Sequence, residues 1–306
     1  AEALSGATMY TELLFPGGSM DAVLPVYESA VVGSFYNAAI VAAVRGVLAG
    51  LPSDAELSVV EIGAGTGGTA SSLLPILDGR CKRYTFTDVS EVFLRQARSR
   101  FAKYGFVEYA LLNIDADPRL QGFALRDNDI VVATNVLHAT PFIRTTLLHC
   151  HELLRPSGLL LVNELVKTDP FAQITFGMTD GWWLFSESRD PERVGQDSPL
   201  LSWRQWEALL MNCGFEKSYC MQGDAFLDRQ ALIVGHAAAR LASAPLSLMS
   251  AEGAHLISGG MGGLGLLTAR LLVESTSSAM IALASRSGRV AKGSEDDWAC
   301  LLYTSP

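Results

Sequence analysis

The chain has 306 residues, 49% of them hydrophobic and 18% charged, with a formal net charge of −9 at pH 7. That length suits one large domain or two ordinary ones, and that composition builds a packed core rather than a disordered chain. The lack of a Lys/Arg block excludes a nucleic-acid footprint, which needs clustered cations, and with no apolar run of about 18 residues no membrane span is expected.

Five cysteines stand at Cys81, Cys150, Cys213, Cys220 and Cys300. Their odd number and the absence of CxxC spacing speak against a disulfide framework and a zinc site, and no metal is expected. Reduced thiols in a cytoplasmic protein are the simplest reading. AEALSGATMY at the N-terminus has neither a signal-peptide pattern nor an initiator Met. The C-terminal LLYTSP comes soon after a second glycine-rich motif, so the chain reads as a fragment of a larger polypeptide.

In chain order, residues 1–20 read as irregular and 21–50 as helical, ending at Gly50 before Pro52. Strand LSVVEIG (57–63) leads to helix GGTASSLLPILDG, strand YTFTDVS (84–90) to helix EVFLRQARSRFAKYG, and strand VEYALLNID (107–115) to a loop with Pro118. Strand DIVVATNVLH (129–138) leads to helix PFIRTTLLHCHELLRPSG and then strand LLLVNEL (159–165). Such β-α alternation predicts an α/β fold with a mostly parallel sheet covered on both faces. Residues 168–201 break the rhythm as a long polar and aromatic insertion without evident elements, a stretch of the kind that often forms a lid. A helix capped by Ser202 (202–215) and strands near 216–222 and 230–236 complete the unit. An Ala/Ser-rich linker follows, and a new strand–Gly-loop–helix opens at 254. The expected division is an N-terminal helical region (1–50), a core (51–236), a linker (237–252) and a second segment (253–306).

VVEIGAGTGG places Gly63, Gly65, Gly67 and Gly68 between a strand and a helix, where glycines permit a tight turn and the helix N-terminus offers free N–H groups. The spacing alone fits either NAD or S-adenosylmethionine. Three acids at successive strand ends sharpen the choice. Glu61 precedes the loop and can reach a cationic group, Asp88 ends the second strand and can bind ribose hydroxyls, and Asp115 ends the third and can accept from an adenine amino group. NAD accounts for Asp88 but not for Glu61 and Asp115 together; S-adenosylmethionine accounts for all three.

His138 ends the fourth strand, and Glu164 lies in the fifth, where a carboxylate among apolar residues is costly unless paired. Neighbouring strands let Glu164 hold one ring nitrogen and make the other the basic one, as the acid does in triads. Histidine's reference pKa of about 6.5 suits a general base near neutral pH. His149 and His151 diverge at i and i+2 and read as helix-surface residues; His236 and His255 carry no evident chemistry.

The runs EIGAGTGGT, TDVS, NVLHAT and VNEL, with TDGWWLF and SPLLSWRQW in and after the insertion, together resemble the C-methyltransferase domains of polyketide synthases over roughly residues 8–236. The resemblance implies a Rossmann-like class I methyltransferase fold with a seven-stranded sheet, and S-adenosylmethionine as cofactor. It also implies methylation of the α-carbon of a β-ketoacyl chain on the phosphopantetheine of an acyl carrier protein, among neighbouring synthase domains. It carries the catalytic pair onto His138 and Glu164, adds Asn135 to the cofactor residues and calls for a site tyrosine, Tyr27 or Tyr36, either of which could instead be core. Trp182 and Trp183 would line the acyl channel or anchor the insertion. ISGGMGGLGLLTARLL and LASRSG are similar to the start of a polyketide synthase ketoreductase. Gly259, Gly263 and Gly265 match its NADPH turn and Arg286 the arginine near the 2′-phosphate, while Ser258 replaces the usual threonine. Without a catalytic Tyr, Ser or Lys this second segment is expected to be inactive, and NADPH would matter only to a complete domain. Other readings are an inactive methyltransferase-like scaffold, an O- or N-methyltransferase, and an NADPH oxidoreductase, the last disfavoured by Glu61 and Asp115.

Overall fold

The computed structural model describes residues 8, 10–14, 31–168, 170–238, 254–262, 265, 266, 268, 269, 280–286, 288–290, 292 and 298. The chain divides into two compact units, 1–240 and 241–306.

In the first unit a short helix α1 (Tyr10–Leu14) precedes α2 (Val31–Ala49). Then follow β1 (Leu57–Ile62), α3 (Gly68–Leu77), β2 (Cys81–Asp88), α4 (Glu91–Arg100), β3 (Val107–Leu111), β4 (Asn128–Thr134), α5 (Ile143–Leu153) and β5 (Leu154–Leu165). The insertion contributes α6 (Pro170–Thr175) and α7 (Leu184–Glu187), and α8 (Trp203–Asn212), β6 (Phe215–Met221) and β7 (Gln230–Ala237) close the unit. Seven strands form one sheet in the order β3-β2-β1-β4-β5-β7-β6. The first five run parallel, and β7 pairs antiparallel with both β5 and β6. This is the mostly parallel α/β sheet expected from the β-α alternation, with the seven strands that the resemblance implies.

β1 shows why a continuous apolar run belongs at the centre of a parallel sheet: all six of its residues are buried. Alternation sends Val60 and Ile62 to a core shared with Leu147, Cys150, Trp206 and Phe215. Leu57 and Val59 go to the opposite core, with Tyr36, Ile40, Leu73 and Phe86. At β4, the sheet order reverses between β1 and β4, which puts the crevice for a ligand at the carboxyl ends of these two strands.

Several boundaries differ from the sequence reading. The fourth strand stops at Thr134, and the fifth begins at Leu154, since α5 ends at Leu153. The insertion is not structureless: besides α6 and α7 it holds 3-10 turns at Phe176–Met178, Asp180–Trp182 and Pro191–Arg193. Ser202 does cap α8, in a full capping box with Gln205. α2 is 19 residues long and apolar enough to cross a membrane by length and composition, a test that a core helix also passes. Its Tyr36, Asn37, Ile40 and Val44 are buried within the unit.

In the second unit β8 (Ala254–Ser258) and β9 (Met280–Ala284) pair in parallel. A Cβ at Gly265 would stand 2.5 Å from Gly260 Cα, so only glycine lets the helical segment approach the turn this closely. Arg286 is exposed, and Gly263 lies outside the described residues.

Candidate active site

The glycine loop turns from β1 into α3. Gly63 has φ +56°, and a Cβ there would stand 2.3 Å from Val136 Cγ2. Glycine is therefore what lets the loop nest against the segment after β4. Asp88 ends β2 as predicted, and its two oxygens accept from Gly65 N (2.9 Å) and Ser90 N (2.9 Å). Burial raises its carboxyl above the ordinary range while these backbone bonds pull it down. α3 starts without a side-chain cap. Its Thr69 hydroxyl reaches Thr134 Oγ1 at 3.0 Å and Asn37 Oδ1 at 3.3 Å, tying α2 and β4 to the loop.

Glu61 is wholly buried in β1 and accepts from the Tyr84 hydroxyl at 2.6 Å. Burial pushes its carboxyl up to about 8, against the pull of the Tyr84 bond. In the ligand-free protein it is therefore largely protonated at neutral pH, and a cation placed beside it would favour its ionised form.

The histidine sits past the strand, not at its end. After Thr134 the chain passes Asn135, in the left-handed region at φ +49°, and a 3-10 turn over Leu137–Ala139 carries His138. Glu164, fully buried in β5, holds this turn on two sides. Its Oε1 accepts from Val136 N (2.9 Å), Leu137 N (2.8 Å) and His138 N (3.3 Å), and its Oε2 meets His138 Nδ1 at 2.7 Å. An ionised carboxylate only accepts, so Nδ1 donates and Nε2 keeps the lone pair. The imidazole is 10% exposed, and Trp182, itself buried, makes a T-shaped contact with it at a centroid distance of 5.6 Å.

Asp115 does not end β3: that strand stops at Leu111, and Asp115 lies four residues on, in the following loop. Burial raises its carboxyl, while His149, Arg193 and Thr146 act in the opposite sense. Asp115 Oδ1 and Asn135 Oδ1 are buried with no hydrogen-bond partner, two acceptors without donors. Tyr36 is an anchor. Its buried hydroxyl lies on the carbonyls of Leu227 (2.8 Å) and Gln230 and accepts from Gly223 N (3.1 Å), so backbone uses its bonding capacity. Tyr27 lies outside the described residues. Trp182 and Trp183 part company: Trp182 is stacked on Phe176 within the protein, and Trp183 is 39% exposed with its indole N–H on Gly177 O. His149 and His151 are partly buried rather than on the surface, each with a ring nitrogen on a backbone carbonyl, Ile114 O and Gly214 O.

The sequence reading missed Arg193 and Asp190. Both are 1% exposed, paired at 2.6 Å, and the guanidinium donates to His138 O (2.8 Å) and Thr140 O (2.6 Å). The stretch DPER held the signal: an Asp N-cap, a Pro at the first helical position and an Arg three residues on.

The methyltransferase-domain family matches residues 60–160, and the KR-domain family matches residues 253–303. Polyketide synthase ThaQ of Burkholderia thailandensis is 39% identical over 246 residues, 78% of this chain and 12% of that protein. The squalestatin hexaketide synthase of a Phoma species is 42% identical over 179 residues, 57% of this chain and 7% of that protein. The CurJ carbon methyltransferase superposes with a TM-score of 0.72 at 33% identity, covering 78% of this chain and 63% of CurJ. The chain carries a methyltransferase domain followed by the start of a KR domain, and it is similar to polyketide synthases and to their carbon-methyltransferase domains. The citrinin polyketide synthase CMeT domain is a further structural relative, at TM-score 0.70 and 30% identity over 78% of this chain and 62% of that one. The chain spans only a small part of the synthases it matches, 12% of ThaQ and 7% of the squalestatin hexaketide synthase. A methyltransferase of this fold implies S-adenosylmethionine, and the residues present fit it. The buried acceptors of Asp115 and Asn135 lack donors, the Glu61 carboxyl lacks a cation, and the Gly63–Gly68 loop opens on an uncapped helix N-terminus.

Proposed function

We propose that this segment methylates the α-carbon of a β-ketoacyl chain carried on the phosphopantetheine of an acyl carrier protein, with His138 as general base and Glu164 as the group that orients it. The observation that carries this reading is the buried 2.7 Å contact between His138 Nδ1 and Glu164 Oε2, next to the Asn135 turn and the glycine loop. S-adenosylmethionine, when bound, supplies an electrophilic methyl group. Glu61, the residues Gly63, Gly65, Gly67 and Gly68, Asp88, Asp115 and Asn135 would hold it. His138 Nε2 takes the α-proton, which two flanking carbonyls make acidic, and Glu164 stabilises the imidazolium that forms. Burial of the pair keeps the site dry around the developing enolate, and alignment of enolate and methyl donor supplies much of the rate. Trp182, against the imidazole, would form a wall of the acyl channel.

The working division is a helical region at 1–50, a methyltransferase core at 51–236, a linker at 237–252 and a ketoreductase-type segment at 253–306, whose Gly259, Gly263, Gly265 and Arg286 would belong to an NADPH turn. Methylation before reduction makes chemical sense, because reduction removes the ketone that acidifies the α-carbon. The test is methyl transfer from labelled S-adenosylmethionine to an acetoacetyl-loaded carrier protein, read by mass spectrometry. A gain of one methylene, lost in His138→Ala while cofactor binding persists, is expected. Unchanged turnover in His138→Ala would remove the base from this histidine, and no cofactor binding at all would point to a scaffold.

A further inference from the structure

The turn that bears His138 is gripped from both ends of its peptide groups. On the N–H side stands Glu164, whose Oε1 accepts from residues 136, 137 and 138. On the carbonyl side stands Arg193, whose Nη1 donates to His138 O at 2.8 Å and whose Nη2 donates to Thr140 O at 2.6 Å and reaches Pro141 O at 3.3 Å. A carboxylate at the N–H end and a guanidinium at the C=O end both match the dipoles of the peptides between them, so the two charges stabilise the same conformation.

Arg193 is itself fixed. Its Nε donates to Asp190 Oδ2 at 2.6 Å, and its guanidinium lies over the Phe185 ring at 5.3 Å. Asp190 Oδ2 also accepts from Ile143 N, in the first turn of α5, at 3.3 Å. The geometry of 189–193 follows from its sequence. Arg189 takes a left-handed φ of +53°, turning the chain back after α7, and Asp190 then caps the Pro191–Arg193 turn, which brings Arg193 onto its own cap. A partly exposed second tie, Arg144 to Glu192 at 2.5 Å, joins α5 to the same turn.

We infer that Arg193, held by Asp190, is a positioning residue for the catalytic base: the insertion acts less as a lid than as the support that sets where the His138 imidazole stands. Only a forked guanidinium can bond His138 O and Thr140 O at once while keeping Asp190 paired. Without it the carbonyl side of the turn is released while Glu164 still holds the N–H side, and the ring shifts on its hinge. A shift on the order of 1 Å at a reacting group costs about 100-fold in rate. This inference rests on the reading of His138 as base, but its spectroscopic test does not depend on turnover.

The full 306-residue chain is prepared with imidazole nitrogens labelled, in wild type, Arg193→Met, Arg193→Lys and Arg144→Met, with His138→Ala used to assign the His138 signals. Expected in wild type is one neutral Nδ1–H tautomer at His138. In Arg193→Met those signals broaden or split into a tautomer mixture, kcat falls about 100-fold, and the KM for S-adenosylmethionine moves less than about twofold, a split that marks a group acting on the chemical step alone. Arg193→Lys, with one ammonium for two carbonyls, falls between. Arg144→Met, which loosens the insertion without touching the turn, keeps the wild-type signals and kcat. Unchanged His138 signals in a folded Arg193→Met protein overturn the inference, as does a rate loss that only tracks the unfolded fraction. If Arg193→Met does not fold, Arg193→Lys decides on the same two readouts. Signals that respond as expected in a wild type that methylates nothing would leave the positioning intact and overturn the proposed function instead.

Discussion

Replacing Glu164 with Gln keeps the size of the side chain and removes its charge. In the wild type Oε1 serves three backbone N–H groups at 2.8 to 3.3 Å and Oε2 serves the His138 ring at 2.7 Å. The glutamine has one oxygen and one NH₂ for these two duties. Turning the NH₂ toward the backbone would set it against three donors, so the oxygen stays there and the NH₂ faces Nδ1. Nδ1 must then accept, the proton moves to Nε2, and the nitrogen meant to take the α-proton no longer can. Loss of a general base costs roughly 10²- to 10⁴-fold in rate. The two shorter backbone bonds lose their charge assistance, roughly 1 kcal/mol each. With about 2 to 4 °C per kcal/mol for a unit of this size, the midpoint falls by roughly 4 to 8 °C. The assay pairs carrier-protein methylation by mass spectrometry with thermal melting and cofactor binding. A Glu164→Gln protein that folds, binds cofactor and methylates at the wild-type rate would refute the reasoning outright.

Two further outcomes follow from the same geometry. Tyr36→Phe removes an anchor, leaving Gly223 N without its acceptor and the carbonyls of Leu227 and Gln230 without their donor. It should cost about 1 to 3 kcal/mol in denaturant melts and leave the rate per folded molecule unchanged; a 100-fold slower but fully folded variant would return Tyr36 to the chemistry. Glu61, raised from 4.5 to about 8 by burial, binds a proton more tightly in the folded state than in the unfolded one. Its contribution to stability is therefore fully present below the unfolded value and lost as pH rises through about 8, a decline of about 5 kcal/mol at most. Glu61→Gln should flatten that decline in the ligand-free protein, measured as the difference in unfolding free energy between pH 5 and pH 8.5, and parallel curves for the two proteins would count against a buried, protonated Glu61.

Much of the architecture was legible because hydrophobic periodicity is local. LSVVEI and LLLVNEL read as buried parallel strands from composition alone, and the glycine spacing marked the turn between β1 and α3. The acid of VNEL stood out because a carboxylate in such a strand demands a partner, and the partner chosen, His138, is the one it meets. Local pattern misplaced what depends on contacts distant in sequence. NVLH is apolar enough to continue the fourth strand to His138, yet the Glu164 carboxylate takes the N–H groups of 136–138 and folds them into a turn instead. Asp115 reads as a strand end for the same reason, an apolar run that outlasts its sheet pairing. Residue type leaves Tyr36 open between core and chemistry; only the fold shows that the backbone of the β6–β7 connection and of Gln230 occupies its hydroxyl.

Sequence by itself determined the order of strands and helices, the glycine turn, the acid at the end of β2 and the identity of the histidine–glutamate pair, since each rests on residue type and spacing along a short stretch. Tertiary structure alone decided that Glu164 binds the whole His138 turn and not merely its ring, that Asn135 and Asp115 leave buried acceptors without donors, and that Arg193 grips the same turn from 55 residues away. The physical reason is that hydrogen bonds to backbone groups leave no side-chain signature in the sequence of the segment that receives them: any residue offers the same N–H and C=O, and only the folded path of the chain selects which ones a buried charge will meet.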